Sequence, residues 1–209
     1  MRILVVGGSG TFIGARLVDE LVRLGHDVAV FTRAPVRSRH DIQHFVGDRR
    51  RLAGFAKPLR QFAPRVVVDG ILSSESQARE LMDLFRGIAE RVVAVSSMDV
   101  YRACGVLHRS ESGPLEPLPL TESSPLRTKL QTYPPAQIAM LQQVFGWLDD
   151  QYDKVPVERV ILGDAALPGT VLRLPMVYGP GDKLNRFYPV LKRIDDRRPA
   201  IVFSEEFAR

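Results

Sequence analysis

The spacing of apolar residues changes twice within the first 31 positions. Arg2 to Val6 is a short β-branched, apolar run that closes at Gly7-Gly8. Ile13, Leu17, Val18, Leu21, Val22 and Leu24 then recur at the spacing of a helix with one buried face. Gly25 is placed to stop that helix, and Asp27-Val28-Ala29-Val30-Phe31 returns to strand character. Strand, turn, helix and strand make a βαβ unit, whose crossover requires parallel strands. The alternation continues with strands at Ile42–Val46, Arg65–Asp69, Arg91–Val95 and Thr170–Leu174, and helices at Glu75–Ala89, Gln137–Leu148 and Val155–Leu162. Runs of valine with little polar alternation suit strands buried on both faces. The pattern predicts a doubly wound parallel α/β sheet.

Between Met98 and Tyr133 the texture changes. Pro114, Pro117, Pro119 and Pro125 interrupt every periodic pattern, and Pro134-Pro135 follow. Residues 98–150 are therefore expected to form a long Pro-rich loop and a helix beyond the fifth strand, at the edge where open α/β sheets place ligands. Ile201-Val202-Phe203 reads as one more strand, six residues before Arg209. The expectation is one dinucleotide-binding domain over 1–209, with 183–209 the start of a C-terminal substrate lobe that is largely absent.

Composition narrows the classes. Of 209 residues 45% are hydrophobic and 25% charged, as in ordinary globular chains. No apolar run approaches the roughly 20 residues of a membrane-spanning helix. One cysteine, Cys104, cannot form an internal disulfide, which fits a reducing cytoplasm. His26, His40, His44 and His108 show no zinc-protease spacing, so no metal is expected. The net charge of +5 is carried mainly by arginine, since only Lys57, Lys129, Lys154, Lys183 and Lys192 are lysines among 29 basic residues. Solvated surface charge accounts for that excess, and a nucleic-acid partner is not expected.

Candidate chemistry starts at Gly7-Gly8-Ser9-Gly10-Thr11-Phe12-Ile13-Gly14, between the first strand and first helix. Glycine allows positive φ and close approach of a pyrophosphate to the backbone. The helix N-terminus adds unpaired N–H groups and a favourable dipole. In this βαβ context the run predicts a Rossmann-like NAD(P) site. The second strand ends Phe31-Thr32-Arg33 without the acid that NAD sites usually place there, and a guanidinium suits a 2′-phosphate. NADP is favoured on that ground, the alternative being an Arg33 that points to solvent.

These residues, followed by Val46-Gly47-Asp48-Arg49, Val95-Ser96-Ser97-Met98-Asp99-Val100-Tyr101 and Leu172-Arg173-Leu174-Pro175-Met176-Val177-Tyr178-Gly179-Pro180-Gly181-Asp182, resemble the extended short-chain dehydrogenase/reductase superfamily, NAD-dependent epimerase/dehydratase family. The resemblance implies that Gly7, Gly10 and Gly14 form the phosphate-binding turn with Thr11, Phe12 and Ile13 between them. One extra residue separates Gly10 from Gly14, so the turn should bulge. Asp48 matches a position that contacts adenine, with Arg49 beside it, although an Asp there also suits a turn or cap. Ser97 matches the catalytic Ser/Thr, and Pro175 falls in the segment that runs past the nicotinamide. Met176 stands where members acting on sugar nucleotides often carry Asn, and a thioether cannot make an amide's hydrogen bonds.

The family's catalytic pair is Tyr-x-x-x-Lys, in which the lysine lowers the tyrosine pKa and holds the cofactor ribose. Lys154, with Glu158 four residues on, resembles that lysine, but four residues before it stands Asp150. Tyr152 is the expected catalytic tyrosine, brought in by an irregular start to the helix near Pro156. Tyr133 or Tyr101 could substitute from the loop, or proton transfer could be lost. The implied function is an NAD(P)-dependent oxidoreductase or epimerase/dehydratase acting on a small hydroxyl- or carbonyl-bearing substrate, a sugar nucleotide included. The expected partners are a dinucleotide cofactor and a small-molecule substrate, with a homodimer allowed and no membrane. A non-catalytic NADP-binding regulator and an RNA-binding protein on the same fold are the alternatives.

Overall fold

The structure, a computed structural model, describes residues 1–7, 12–35, 41–182 and 184–201. Strands β1 (Arg2–Val6), β2 (Asp27–Thr32), β3 (Gln43–Val46), β4 (Val66–Asp69), β5 (Arg91–Ser97) and β6 (Gly169–Leu174) form one parallel sheet. Their order is β3-β2-β1-β4-β5-β6, the doubly wound arrangement expected from the sequence. Val6 pairs with Phe31 on one side and Asp69 on the other, so the ends of β2, β1 and β4 lie side by side. The direction of winding reverses between β1 and β4, and such a switch point is where ligands enter open α/β sheets.

The helices are α1 (Phe12–Arg23), α2 (Ala56–Phe62), α3 (Glu75–Phe85), α4 (Arg102–Leu107), α5 (Pro135–Val144), α6 (Lys154–Gly163) and α7 (Tyr188–Asp195). α3 stops four residues before the expected Ala89, because Arg86 turns extended and Gly87 adopts φ +77. α5 starts at its proline, whose missing N–H costs nothing in a first turn, and ends at Phe145 instead of Leu148. α6 begins at Lys154, capped by the Asp153 carboxylate accepting from Val155 N at 2.9 Å. α2, α4 and the 3-10 turn Arg49–Phe55 have no counterpart in the sequence pattern. α4 shows that the Pro-rich stretch is not one continuous loop.

Apolar residues of every inner strand alternate between two layers. Ile3, Val5, Val28 and Val30 pack under Leu17, Val18, Leu21 and Val22 of α1. Leu4, Val6, Ala29, Phe31, Val67, Val92 and Ala94 face Leu59 and Phe62 of α2, Leu81 and Phe85 of α3, and Val157 and Ile161 of α6. On β6, Leu172 is 46% exposed, so the sheet is less fully covered at that edge. The chain divides into two compact units, Met1–Pro175 and Met176–Arg209. Within the second, Asp182 accepts from the amides of Leu184 and Arg186, and Tyr178 stacks on Phe187 at 4.5 Å. Val202 and Phe203 of the expected last strand lie outside the described residues.

Several charged side chains are enclosed in the larger unit, and Arg49 and Asp69 form the most fully buried pair. The Arg49 guanidinium, 1% exposed, donates to Asp69 at 2.9 Å, Glu80 at 3.0 Å and the Gln77 carbonyl at 3.0 Å. Removing one partner of such a pair strands a buried charge, so Arg49→Ala should destabilise the fold by roughly 3–5 kcal/mol in urea denaturation. Arg49→Lys should recover only part of that loss, because one ammonium cannot match a planar fork across three separated acceptors.

Candidate functional site

The site builds around the loop that leaves β4. Asp69 ends that strand with its carboxylate wholly buried, accepting from Ile71 N at 2.9 Å as well as from Arg49. The loop is thereby bent back over β1, and Gly70 N donates to the Val6 carbonyl at 3.0 Å. Gly7 lies directly beneath it at φ +68, where a Cβ would come within 2.4 Å of the Ile71 side chain. Conformation and space therefore both require glycine at position 7. Gly10 and Thr11 lie outside the described residues, while Phe12, Ile13 and Gly14 open α1.

Lys154 reaches the same loop from α6. Its ammonium donates to the Leu72 carbonyl, and to the Val95 carbonyl of β5 at 3.0 Å. It is buried, and desolvation brings its pKa down to about 8 against the opposing pull of Asp69 and Glu158. Two residues beyond Val95, Ser97 accepts from Asp99 N at 3.2 Å and caps the 3-10 turn Met98–Val100. The neighbouring Ser96 hydroxyl is buried with no hydrogen-bond partner among the described residues. Pro175 is exposed just after β6.

A second group gathers at the ends of β2 and β3. Thr32 Oγ1 donates to the Ala34 carbonyl at 2.7 Å, and Gly47 N donates to the Thr32 carbonyl at 2.8 Å. Arg33 is exposed, with its guanidinium against Gly146. Asp48 takes the capping role: it accepts from Arg50 N at 2.9 Å and pairs with the Arg50 guanidinium at 2.7 Å. That hydrogen bond, with a smaller contribution from Arg33, holds its carboxyl below the usual carboxylate range. Arg49 beside it was expected to meet the cofactor. Its side chain instead turns inward to Asp69, Glu80 and the Gln77 carbonyl, and is buried away from solvent.

The tyrosines fall apart from the lysine. Tyr152 precedes α6, outside the helix as the irregular start required, yet its ring packs edge-on against Tyr133 with centroids 5.4 Å apart. Burial raises both phenols, that of Tyr133 to about 12, with the Asp99 carboxylate adding to each. Asp99 is itself raised, chiefly by burial. Tyr101 is engaged elsewhere: Arg173 donates to its hydroxyl at 3.2 Å, lies over its ring at 4.9 Å, and forks onto Glu158. Buried Arg127 ties this region together by donating to the Asp99 carbonyl at 2.7 Å and to Asp153 at 3.1 Å. Sequence reasoning missed Asp69, Ser73, Asp99, Arg127 and Asp153. For Asp69 a signal existed, an acid closing the apolar run Val66-Val67-Val68. Arg127 and Asp153 meet across 26 residues and carry none.

Comparison with known proteins matches the geometry. The family model for the NAD-dependent epimerase/dehydratase family matches residues 3–208. No curated protein matches the sequence. Among solved structures, a putative NAD-dependent epimerase/dehydratase from Methylobacillus flagellatus shares 19% identity, with a TM-score of 0.60 over 94% of this chain and 60% of its own. MoeE5 in complex with UDP-glucuronic acid and NAD shares 25%, with a TM-score of 0.62 over 92% of this chain and 60% of its own. The dTDP-glucose 4,6-dehydratase from Bacillus anthracis, in complex with NAD, shares 15%, with a TM-score of 0.62 over 98% and 64%. The chain thus spans about 60% of the length of these structures. A parallel sheet that winds both ways from β1, a glycine held under the β4 loop and a family match over almost all its length place this chain in the NAD-dependent epimerase/dehydratase family.

Proposed function

We propose that the chain binds NAD(P), with NADP favoured, and transfers hydride to or from a small hydroxyl- or carbonyl-bearing substrate of the sugar-nucleotide class. The observation that carries this reading is the buried Lys154 ammonium at the sheet's C-terminal edge, between the β4 loop and β5. A cofactor fits the residues there: Gly7, at φ +68, lets the backbone turn tightly at the end of β1, and β2 closes on Thr32-Arg33 without an acid. When bound, a nicotinamide supplies the hydride chemistry. Lys154 holds the ribose, Arg33 grips a 2′-phosphate, Asp48 borders the adenine, and Ser97 orients the substrate oxygen. Tyr152 moves the proton in this scheme, with Pro175 bordering the nicotinamide end. Two of the similar solved structures are MoeE5 in complex with UDP-glucuronic acid and a dTDP-glucose 4,6-dehydratase, which supports the substrate class.

A second reading, a dinucleotide-binding regulator without turnover, draws on the tyrosines. The Lys154 ammonium is spent on two carbonyls, while Tyr152 packs edge-on against Tyr133 with its pKa raised and not lowered. A phenol that holds its proton so firmly is a poor general base near neutrality.

Tyr152→Phe and Lys154→Ala should each abolish turnover with a panel of sugar nucleotides, and only the lysine change should weaken cofactor binding in calorimetry. Full activity in Tyr152→Phe would remove the tyrosine assignment. NADPH should bind more tightly than NADH, and Arg33→Ala should erase that preference without weakening NADH binding. Equal loss for both cofactors would assign Arg33 to structure.

The buried lysine also sets a pH dependence. With its folded pKa near 8 and an unfolded value of 10.5, the unfolded chain binds more protons between those limits, so stability rises with pH across that window. Tyr133 does the reverse between 10 and about 12, where only the folded state keeps its proton. Denaturation free energy should climb from pH 8 to 10 by on the order of 2–3 kcal/mol and then fall. Lys154→Met should remove the climb, and Tyr133→Phe should soften the fall.

A further inference from the structure

The segment 145–150 is anchored at two places that straddle the expected dinucleotide crevice. At one end Gly146 lies against Arg33, just beyond β2, so closely that a Cβ would come within 2.4 Å of Nη1. At the other, Asp149 N donates to Ser73 Oγ at 2.9 Å, in the loop beyond β4. Further on, Asp153 N donates to the Ser73 carbonyl at 3.0 Å. In the sheet only β1 stands between β2 and β4, and β1 ends at Val6, just before Gly7. The stretch from Gly146 to Asp149 thus joins the Arg33 guanidinium, beyond β2, to Ser73, beyond β4.

Its side chains suit that position. Leu148 is 3% exposed, so its apolar group is inserted in the protein. Asp149 and Asp150 bring two negative charges near Arg50, the partner of Asp48, and raise its pKa behind Asp48 itself. The Gln142 amide braces the turn, donating to Asp150 at 2.7 Å and to the Leu148 carbonyl at 3.3 Å. The segment thus sets a glycine backbone on Arg33 and carboxylates near Arg50, where the adenosine end of a phosphorylated dinucleotide would meet the same arginines.

We propose that segment 145–150 is an internal competitor for the adenosine half of the dinucleotide site. This rests on the dinucleotide-binding reading above. In the closed state the segment lies against Arg33 and is tied to Ser73. Cofactor binds only when the segment leaves, so its apparent affinity is reduced by the fraction of molecules that are open. Opening also frees Arg33, which links exposure of the site to the residue that selects the 2′-phosphate.

NADP⁺ titration of the full chain by calorimetry tests this, with fluorescence from Trp147, the only tryptophan in the sequence, as a second readout. Leu148→Ala, which withdraws the apolar anchor, and the double change Asp149→Asn with Asp150→Asn, which removes the charges without touching the core, should each tighten NADP⁺ binding. The expected gain is about 3–10-fold, as for a segment closed roughly 70–90% of the time. Trp147 emission should shift as wild type saturates, and amide exchange across 145–150 should accelerate. If Leu148→Ala does not fold, the double variant alone decides. Unchanged affinity with unchanged Trp147 emission would overturn the competitor while leaving the dinucleotide reading intact. If neither wild type nor variants bind NADP⁺ or NAD⁺, the dinucleotide reading fails and the competitor with it.

Discussion

The buried Asp69 carboxylate organises the crevice. One oxygen takes the Ile71 amide and the other the Arg49 guanidinium, so the four residues after β4 have a single path. Everything at the crevice refers to that path. Ile71 rests on Gly7, Leu72 receives Lys154, and Ser73 receives the amides of Asp149 and Asp153. A charge with no solvent must be compensated by fixed partners, and fixing those partners fixes the loop. The same carboxylate therefore sets the surroundings of Gly7 and of the candidate catalytic lysine.

The two functional readings turn on one geometric relation. In a lysine–tyrosine pair that moves protons, the ammonium lowers the phenol's pKa by standing beside it. Here burial dominates both groups and drives them apart, the lysine down and the tyrosines up. Cofactor binding alone requires no such coupling, since glycine, lysine and arginine can hold phosphates and ribose whatever the tyrosine does. Turnover requires that Lys154 leave its two carbonyls or share them with a ligand hydroxyl. The 145–150 segment belongs to the same problem, because it is tied to Ser73, the residue following the one whose carbonyl holds Lys154.

The Arg173–Glu158–Tyr101 network stabilises the other edge of the site. The guanidinium on β6 joins the buried acid of α6 to the aromatic ring following the Ser97 turn. These are three separate segments of chain, held by charge-assisted bonds that tolerate little displacement. The segment that follows β6 starts from this fixed point, whereas Leu172 on the same strand remains substantially exposed.

The periodicity of the chain was enough to establish the sheet. Each of the six strands expected between Arg2 and Leu174 is present within two residues of its expected ends, because parallel strands buried on both faces admit little besides apolar side chains. Gly7 was legible too, since a strand running into glycine at a βα turn has one common use. Helix ends were less so: Gly87 ended α3 early through its backbone conformation, which apolar spacing does not report. The arrangement of the site was decided by tertiary structure. Arg49 reads locally as a neighbour of Asp48, but the fold supplies Asp69, 20 residues away, and burial makes that pairing obligatory. Tyr152 lies two residues from Lys154, yet the capping of α6 by Asp153 turns it toward Tyr133. Local spacing records which face a residue shares with its neighbours. The partner of a buried charge or ring depends on which distant segment the fold brings beside it.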